Sequence, residues 1–437
     1  MPRHPSSILV VGGGAREHAL VRTLAAWPGD SVLCAPGNAG IARDARVFPL
    51  DVSDPDAVLE LAEREGVDLT VVGPEQPLAC GVADRFEQAG RLLVGPSRAA
   101  AQLECSKVFA KGFMARHGIP TARARVCDRA DRAHAVVAEG ELGFPLVIKA
   151  DGLAAGKGVV IAADRGEADA AIHAAMEARA FGDAGARVVL EECLAGPEAS
   201  FFALCDGTTA LAMTSAQDHK RIFDGDRGPN TGGMGAFAPS PLVDAALQHR
   251  VMHEIVEPVL RGMREEGHAY RGFLYVGLML TCDGPKVIEF NVRFGDPEAQ
   301  VILPLVDGDV AALLAAAARG DLAGRRIAFR PEVRVGVVLA SAGYPGPVVT
   351  GVPIAGLSEA EPIEGVSIFH AATAMKDGRV VTSGGRVLTV VGAGADYPQA
   401  IARAYAGASK ISFEGMQYRR DIGHGLHGRT RNSTIED

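Results

Sequence analysis

The stretch VIEFNVRFGD (residues 287–296) begins as an apolar strand and then places a polar side chain at every second position. Because side chains alternate between the faces of a strand, Glu289, Asn291 and Arg293 are predicted to share one face. Mg²⁺ prefers oxygen ligands and usually takes one or two protein groups plus phosphate oxygens. We therefore predict a metal site at Glu289 and Asn291, with Arg293 facing phosphate and Asp296 in reach of an amine. The alternative is a buried Glu289–Arg293 ion pair.

The bulk composition is that of a globular protein with several domains. The 437 residues suggest about three domains of roughly 150 residues each. The net charge of −9 argues against a general nucleic-acid or anionic-membrane partner. No apolar run approaches the ~18 residues needed to span a bilayer, and the start is too short for a signal peptide. Seven cysteines without a C-x-x-C pair predict reduced, buried thiols in a cytoplasmic protein.

The order of apolar and turn segments predicts a mixed α/β and α+β chain. Strands and helices alternate over residues 8–100, which predicts a doubly wound parallel sheet with loops at its carboxyl edge. A small α+β unit follows, then antiparallel strands around 198–222 and 272–291, then a β-rich part with a helix near 396–408. The predicted domains are 1–103, 104–327 with a small subdomain at about 123–192, 328–426, and a disordered tail at 427–437.

The first glycine-rich turn lies between a strand and a helix in VVGGGAREH (residues 10–18). Backbone N–H groups of Gly13 and Gly14 at such a helix start suit an anion. Glu17 stands where a dinucleotide fingerprint needs glycine, which disfavours a nicotinamide or flavin site. A tight turn that serves packing alone is the alternative.

The second glycine-rich segment is KADGLAAGKGV (residues 149–159). Lys149 interrupts an apolar strand, and Gly156, Lys157 and Gly158 follow in a loop. Glycines let the backbone approach a polyphosphate and lysines neutralise it. No Ser or Thr follows Lys157, so this is not a Walker A loop. A flexible hairpin with surface lysines is the alternative.

Acidic and polar residues cluster at two further places. Glu191 and Glu192 end one strand and Glu198 begins the next, where a strand-end backbone suits adenine and a carboxylate suits ribose; a solvated acidic turn is the alternative. QDHKR (217–221) and NTGGMGAFAP (230–239) suggest a polar site under a mobile lid, with a long surface loop as the alternative.

Together these motifs resemble the ATP-grasp superfamily, and within it the phosphoribosylamine–glycine ligase family, also called glycinamide ribonucleotide synthetases. The resemblance rests on a strand lysine before a glycine loop, an E-E-x-L hinge and a late E-x-N strand. It extends nearly end to end, leaving only the tail after about residue 426. The matching stretches include VVGGGAREHAL, VVGPEQPLACGVAD, CSKVFAKGFM, PLVIKADGLAAGKGVVIA, SAQDHKRIFDGDRGPNTGGMGAFAPSP, VIEFNVRFGDPEAQVILP, VTSGGRVLTV and EGMQYRRDIG.

The resemblance implies ligation of glycine to 5-phosphoribosylamine with ATP through glycyl phosphate, the second step of de novo purine synthesis. It implies that a lid and a central domain clamp ATP. The implied ATP-binding residues are Lys107, Lys149, Gly156, Lys157, Gly158, Glu191, Glu192, Leu194 and Glu198. The implied catalytic residues are Arg293, Asp218 and Asp296, and the implied ligands of Mg²⁺ or Mn²⁺ are Glu289 and Asn291. The implied substrate-binding residues are Gly13, Gly14, Glu75, Lys220, Gly232 and Gly233.

The resemblance further implies a cytoplasmic monomer that acts on small molecules, with at most transient contact with other enzymes of the pathway. Three alternatives stay open at the level of sequence. They are a carboxylating ATP-grasp enzyme of the same pathway, a non-catalytic nucleotide-binding regulator, and the disfavoured nicotinamide oxidoreductase.

Overall fold

The first part of the chain is a five-stranded parallel sheet, as its alternating pattern predicted. The structure, a computed structural model, describes residues 4–27, 29–152 and 158–426. The strand order is β3-β2-β1-β4-β5. The strands are β1 Ser7–Gly12, β2 Ser31–Pro36, β3 Arg46–Val47, β4 Leu69–Val72 and β5 Leu93–Val94. The helices of this part are α1 Ala15–Ala25, α2 Ile41–Asp44, α3 Pro55–Arg64, α4 Glu75–Cys80 and α5 Val82–Gln88.

Burial explains why these strands are apolar throughout. Residues 8–11 of β1 have no exposed surface, because helices cover both faces of the parallel sheet. All its strands point the same way, so the turns after β1, β2 and β4 gather at one edge. That edge presents Gly13, Gly14 and Glu75.

The second part is a small four-stranded antiparallel sheet of order β6-β9-β7-β8, flanked by two helices. Its strands are β6 Ala124–Cys127, β7 Leu146–Ala150, β8 Val159–Ala162 and β9 Val188–Glu192. Four helical segments precede it or lie within it: α6 Gln102–Cys105, α7 Lys107–Arg116, α8 Ala130–Glu139 and α9 Arg165–Ile172. A π-helical turn at His173–Glu177 and a 3₁₀ turn at Gly182–Gly185 complete this part.

The third part contains a second four-stranded antiparallel sheet of order β11-β10-β16-β17. The strands of residues 198–329 are β10 Glu198–Asp206, β11 Ala210–Ala212, β12 Gln217–Asp218, β13 Arg221–Phe223, β14 Arg227–Asn230, β15 Gly235–Ala238, β16 Arg271–Thr281, β17 Gly284–Asn291, β18 Val306–Asp307 and β19 Ala328–Phe329. The helices are α10 Ala245–Val251, α11 Glu257–Glu265, α12 Glu298–Ile302 and α13 Val310–Arg319, with a π-helical turn at Met252–Val256 and a 3₁₀ turn at Leu303–Leu305.

The last part is β-rich, as predicted, and its helix α15 lies where the sequence placed it. Its elements are β20 Val333–Ala340, α14 Leu357–Ala360, β21 Val366–His370, β22 Thr373–Lys376, β23 Arg379–Thr382, β24 Arg386–Gly394, α15 Tyr397–Ala408 and a 3₁₀ turn at His424–Leu426. The predicted tail, 427–437, lies outside the described residues.

One sheet joins the third and last parts, which the sequence did not reveal. Its order is β12-β15-β20-β24-β21, so β15 pairs with β20 of the last part, and β12 joins the sheet through β15. Gly235–Ala238 therefore forms a buried antiparallel strand against β20. The alternative of a long surface loop over 230–239 was therefore wrong for its second half, which is a paired strand.

The cysteine prediction holds in part. All seven thiols are free, and Cys34, Cys127 and Cys205 are buried. Cys282 is exposed in the turn between β16 and β17, so burial was the wrong expectation there. Among the described residues, no helix combines the length and the apolar character needed to cross a membrane.

Candidate functional site

Strand β17 presents Glu289 and Asn291 on its half-buried face, while Phe290 between them is buried in the core. Within the described residues the Glu289 carboxylate accepts no hydrogen bond. Burial alone would raise the pKa of Glu289, but the nearby cations of Lys220, Lys149 and other side chains outweigh it and lower that pKa. The strand thus offers an ionised carboxylate and an amide two residues apart.

Arg293 lies beyond the end of β17 rather than on it. Its Nε donates to Glu75 at 2.8 Å and its Nη2 donates to Glu104 at 2.9 Å. A longer contact of 3.4 Å runs from Nη2 to Asn291 Oδ1. The alternative ion pair with Glu289 was wrong, because the carboxylates of Glu75 and Glu104 hold the guanidinium. These carboxylates keep the pKa of Arg293 above its ordinary value despite burial.

Lys149 connects the small sheet to β17. Its Nζ donates to the carbonyl of Ile288 at 3.0 Å and lies 3.1 Å from Glu191 Oε2. The same carboxylate oxygen lies 3.2 Å from Lys111 Nζ. Burial and the charge of Lys149 lower the pKa of Lys111 to about 8, although Glu191 opposes the shift. Two lysines therefore share one buried carboxylate next to the predicted metal strand.

Glu191 and Glu192 have different environments, although they are adjacent. Glu191 is 3 % exposed, and its Oε1 has no hydrogen-bond partner within the described part of the chain. Glu192 points outward and accepts from the Arg123 backbone N–H and its Nε at 2.9 and 2.7 Å. The alternative of a solvated acidic turn was therefore wrong for Glu191. Leu194 follows in a half-buried extended segment.

Lys107 is the first residue of α7 and its Nζ donates to the carbonyl of Gly152 at 3.1 Å. Ser106 caps the same helix by accepting from Phe109 N–H at 3.0 Å. Its hydroxyl also donates to Asp151 at 2.8 Å, which ties the helix to the start of the glycine loop.

The end of that loop is described only in part. Gly158 is buried, and its carbonyl accepts from Ala150 N–H at 2.8 Å. Gly156 and Lys157, both predicted ATP contacts, lie outside the described residues.

A group of charged side chains lies near the start of β10 and the end of β12. Lys220 Nζ forms an ion pair with Glu198 at 2.8 Å. Burial raises the pKa of Asp218. The positive charge of Lys220 opposes this shift, whereas the negative charges of Glu198 and Glu289 add to it. Glu298, which the sequence analysis did not select, is 4 % exposed beside this group.

The predicted glycine loop is bound by an arginine from β24. Arg386 Nη1 donates to the carbonyls of Gly232 and Gly233, the latter at 3.4 Å. Its Nη2 lies 2.9 Å from Asp296 Oδ2. The hydroxyl of Tyr344 accepts from Gly232 N–H at 2.8 Å. Contacts from the last part of the chain therefore fix both the loop and Asp296.

The first glycine turn also reaches this region. An added Cβ at Gly14 would lie 3.7 Å from Asp296 Oδ2, and one at Gly13 only 2.6 Å from the Gly37 carbonyl. Glu17 Oε2 accepts from Gly14 N–H at 2.5 Å. Glu17 thus occupies the turn as a carboxylate, which fits the exclusion of a dinucleotide pyrophosphate there.

Three residues were missed by sequence reasoning: Lys111, Glu104 and Glu298. Glu104 is an isolated acid in QLEC and meets Arg293 across 189 positions of sequence, so no local pattern marks it. Glu298 follows Asp296 in GDPE and could have been selected as a third acid there. No cluster of three or more His, Cys, Asp or Glu side chains suited to a metal ion occurs among the described residues. Two protein oxygens, from Glu289 and Asn291, are a number that Mg²⁺ bound through phosphates accepts.

Three family models match successive segments of the chain. They are described as the phosphoribosylglycinamide synthetase N domain over residues 6–104, the ATP-grasp (A) domain over 105–299 and the C domain over 334–425. A phosphoribosylamine–glycine ligase of Ralstonia nicotianae is 50 % identical over 424 residues, which cover 95 % of this chain and 98 % of that protein. The enzyme of the same name from Xanthomonas campestris is 51 % identical over 431 residues, covering 98 % and 99 %.

Solved structures give the same fold. A crystal structure of phosphoribosylamine–glycine ligase from Thermotoga maritima has a TM-score of 0.82 and 36 % identity, covering 95 % of this chain and 100 % of that chain. The biotin carboxylase domain of Hydrogenobacter thermophilus 2-oxoglutarate carboxylase has a TM-score of 0.70 at 16 % identity, covering 95 % and 92 %. At that identity the second likeness concerns the fold alone.

Proposed function

The chain belongs to the phosphoribosylglycinamide synthetase family, and on that premise we propose how its residues act. It is an ATP-dependent enzyme that ligates glycine to phosphoribosylamine in purine biosynthesis. The single observation that supports our assignment of the site is that Lys149 Nζ reaches β17 and donates to the Ile288 carbonyl at 3.0 Å, next to Glu289, whose pKa the charges of nearby lysines lower. Phosphoryl transfer needs such charge neutralisation and alignment, with little covalent work by the protein.

Enzymes of this fold that use ATP generally need a divalent metal ion, and we propose Mg²⁺ or Mn²⁺ here. The residues fit such an ion, because Glu289 is ionised, is free of hydrogen bonds from described residues, and lies two positions from the amide oxygen of Asn291. When bound, the ion would neutralise phosphate charge. Glu289 and Asn291 would hold it.

For the nucleotide, we propose that β7 and β9 hold it against β17. Lys107 and Lys149 would contact phosphates, together with Gly156, Lys157 and Gly158 of the loop. Glu191, Glu192 and Leu194 would border adenine, and Glu198 would meet the ribose. This arrangement is supported by the Lys149–Ile288 hydrogen bond of 3.0 Å, which already connects the two sheets at this point.

The chemistry we propose has two steps. An oxygen of glycine's carboxylate attacks the γ-phosphorus of ATP, the bond to ADP breaks, and glycyl phosphate forms. The amine of phosphoribosylamine then attacks the acyl carbon, the C–O bond to phosphate breaks, and the amine loses a proton. Arg293 would stabilise the transferring phosphoryl group, and closure of the small sheet would exclude water from the acyl phosphate.

For the acceptor, we propose a site at the edge of the parallel sheet. Gly13, Gly14 and Glu75 would face phosphoribosylamine, while Lys220, Gly232 and Gly233 would contact the substrates from the other side. The short distance between Gly14 and Asp296 supports this site, because it places the first glycine turn next to the residues that follow β17. Asp218 and Asp296 are the proposed contacts of glycine's ammonium group.

We also propose the domain division 1–103, 104–327 with a lid at about 123–192, and 328–426. The proposed setting is the cytoplasm, as a monomer without nucleic-acid or membrane partners and with only transient contact with neighbouring pathway enzymes.

The experiment is a coupled ADP-release assay in which each substrate is omitted in turn. We expect ADP only when ATP, glycine, phosphoribosylamine and a divalent ion are all present at once. ADP release with bicarbonate and an aminoimidazole nucleotide instead would assign the chain to a carboxylating enzyme. ATP binding without glycine-dependent ADP release would make it a regulator.

A further inference from the structure

The two carboxylates proposed for glycine's ammonium are not equally available. Asp296 Oδ2 is paired with Arg386 Nη2 at 2.9 Å, and Asp296 Oδ1 accepts from Gln300 Nε2 at 2.7 Å. Both oxygens of Asp296 are therefore engaged, and its charge is already neutralised by an arginine. Asp218 has no ion pair within 4 Å in the described chain. Of the two acids, Asp218 is therefore the one available to an ammonium group.

Glu298, a further carboxyl next to this site, also lacks a paired cation within the described residues. It is 4 % exposed and forms no ion pair within the described residues. Its Oε1 accepts a long 3.3 Å hydrogen bond from Ser200 Oγ, which lies 3.1 Å from the hydroxyl of Tyr275, and the carboxyl also interacts with the backbone N–H of Glu298 itself. A buried carboxyl normally has stronger partners than a neutral hydroxyl at that distance.

The fold leaves space for this carboxyl. A Cβ added at Gly295 would lie only 2.4 Å from Glu298 Oε2. The absence of a side chain at Gly295 therefore leaves room for the Glu298 carboxyl. The charged and titratable groups that face Glu298 among the described residues include Asp218, Lys220, Asp296, Arg293 and Tyr275.

The electrostatics agree with the geometry. Burial and the negative charge of Asp218 raise the pKa of Glu298 to about 8. Lys220, the cation nearest to both acids, is already paired with Glu198. Burial raises the pKa of both Glu298 and Asp218, so a cation placed between them would stabilise the ionised form of each.

We propose that Glu298, together with Asp218, binds the ammonium group of glycine and is a specificity-determining residue for this substrate. The inference rests on the proposed function. It assigns to Asp296 the different task of fixing the 232–233 loop through Arg386.

The test compares steady-state kinetics of the wild type, Glu298→Gln and Gly295→Ala. The first variant removes the charge, and the second displaces the carboxyl but retains it. We expect the KM for glycine to rise about tenfold or more in both, since a hydrogen bond to a charged group is lost. The KM for ATP should stay within about twofold. The control is Asp206→Asn, a buried carboxyl on the same strand as Ser200 but six residues, roughly 20 Å, further along.

A second measurement does not depend on any variant folding. Glycine is titrated calorimetrically at pH 8 into the wild type holding Mg²⁺ and a non-hydrolysable ATP analogue, in buffers of different ionisation enthalpy. We expect proton release, because the ammonium favours ionised carboxyls.

The outcomes separate the two claims. A wild type that releases no ADP with glycine and phosphoribosylamine would overturn the proposed function. An active wild type whose Glu298→Gln and Gly295→Ala forms keep the glycine KM would overturn only the inference. Uptake of protons on glycine binding would also overturn it.

Discussion

At the scale of single residues, the site depends on how carboxylates are partnered. Glu289 has cations around it but accepts no hydrogen bond within the described chain, whereas Glu75 and Glu104 each accept a hydrogen bond from Arg293. Ionised Glu289 is thus available to a ligand, while the other two acids fix the direction of a guanidinium. A glutamate in this site therefore either stays available to a ligand or orients an arginine, depending on which side chains surround it.

Replacement of Glu289 by alanine should abolish metal-dependent turnover while the protein still folds. The side chain contributes a charge to the site but no hydrogen bond to the described residues, so its loss leaves no internal partner unsatisfied. Turnover against Mg²⁺ and Mn²⁺ concentration, with circular dichroism as the folding check, measures this. Unchanged activity would remove Glu289 from the metal site.

Glu104→Gln should lower kcat by about tenfold or more, because Arg293 keeps one carboxylate partner instead of two. It should also destabilise the fold by about 1–3 kcal/mol, since Glu104 also accepts from the Val292 N–H at 2.8 Å. Initial rates and urea unfolding measure both effects.

The control is Glu266→Gln, which removes a more exposed ion pair with Arg116 and should cost at most about 1 kcal/mol. Equal effects of Glu104→Gln and this control on kcat would contradict the role given to Arg293.

At the scale of elements, helix α7 and the glycine loop act as one unit. Ser106 caps the helix, and its hydroxyl donates to Asp151, where the loop begins. Lys107, the first residue of α7, reaches back to the Gly152 carbonyl. The helix start therefore sets the position of the loop.

Ser106→Ala should cost about 1–2 kcal/mol of stability, as lost N-caps do, and should also raise the KM for ATP. Thermal unfolding and initial rates measure the two effects. The matched control is Asp244→Ala, which removes the cap of α10, where Asp244 accepts from Leu247 N–H at 2.7 Å. It should lose similar stability with an unchanged KM. A KM for ATP that stays constant in Ser106→Ala would contradict the coupling.

Local patterns predicted the elements well and their partners poorly. The cap at Ser106, the parallel sheet and the alternation of Glu289 and Asn291 all follow from neighbours in sequence. The position of Arg293 beyond the end of β17 does not follow from its neighbours in sequence. Glu75 and Glu104, about 190 to 220 residues away in sequence, hold its guanidinium. The assignments of substrate contacts stay predictions.

At the scale of the whole molecule, the first and last parts of the chain meet at a buried histidine joint. His18 Nδ1 accepts from the His370 N–H at 2.8 Å, and His18 Nε2 lies 2.8 Å from Asp44. His370 Nδ1 is 3.0 Å from Thr373 Oγ1. Asn38 donates to the carbonyls of Gly13 and His370, at 2.9 and 2.8 Å. The joint therefore fixes the first glycine turn.

The joint should weaken in acid. Burial, with the charge of His18, lowers the pKa of His370 to about 3, and burial also lowers the pKa of His18. The unfolded chain binds more protons than the folded one below about pH 6.5, so stability falls as the pH decreases from there toward 3. Each fully affected group contributes a slope of about 1.4 kcal/mol per pH unit.

Urea unfolding at pH 7.5 and 5.0 measures the free energy of unfolding at each pH. The decrease between the two pH values should be smaller in His370→Asn than in the wild type. His253→Gln, a change at an exposed histidine, is the control and should keep the wild-type difference. A His370→Asn protein with the full wild-type difference would contradict the role of the joint.

The most direct test of the account is a crystal structure with Mn²⁺ and a non-hydrolysable ATP analogue, using the anomalous signal of manganese. The account predicts an anomalous peak bonded to oxygens of Glu289, Asn291 and the phosphates, with Lys149 and Lys107 beside the phosphate chain. A manganese ion bound elsewhere, with Glu289 and Asn291 turned away from the nucleotide, would contradict it.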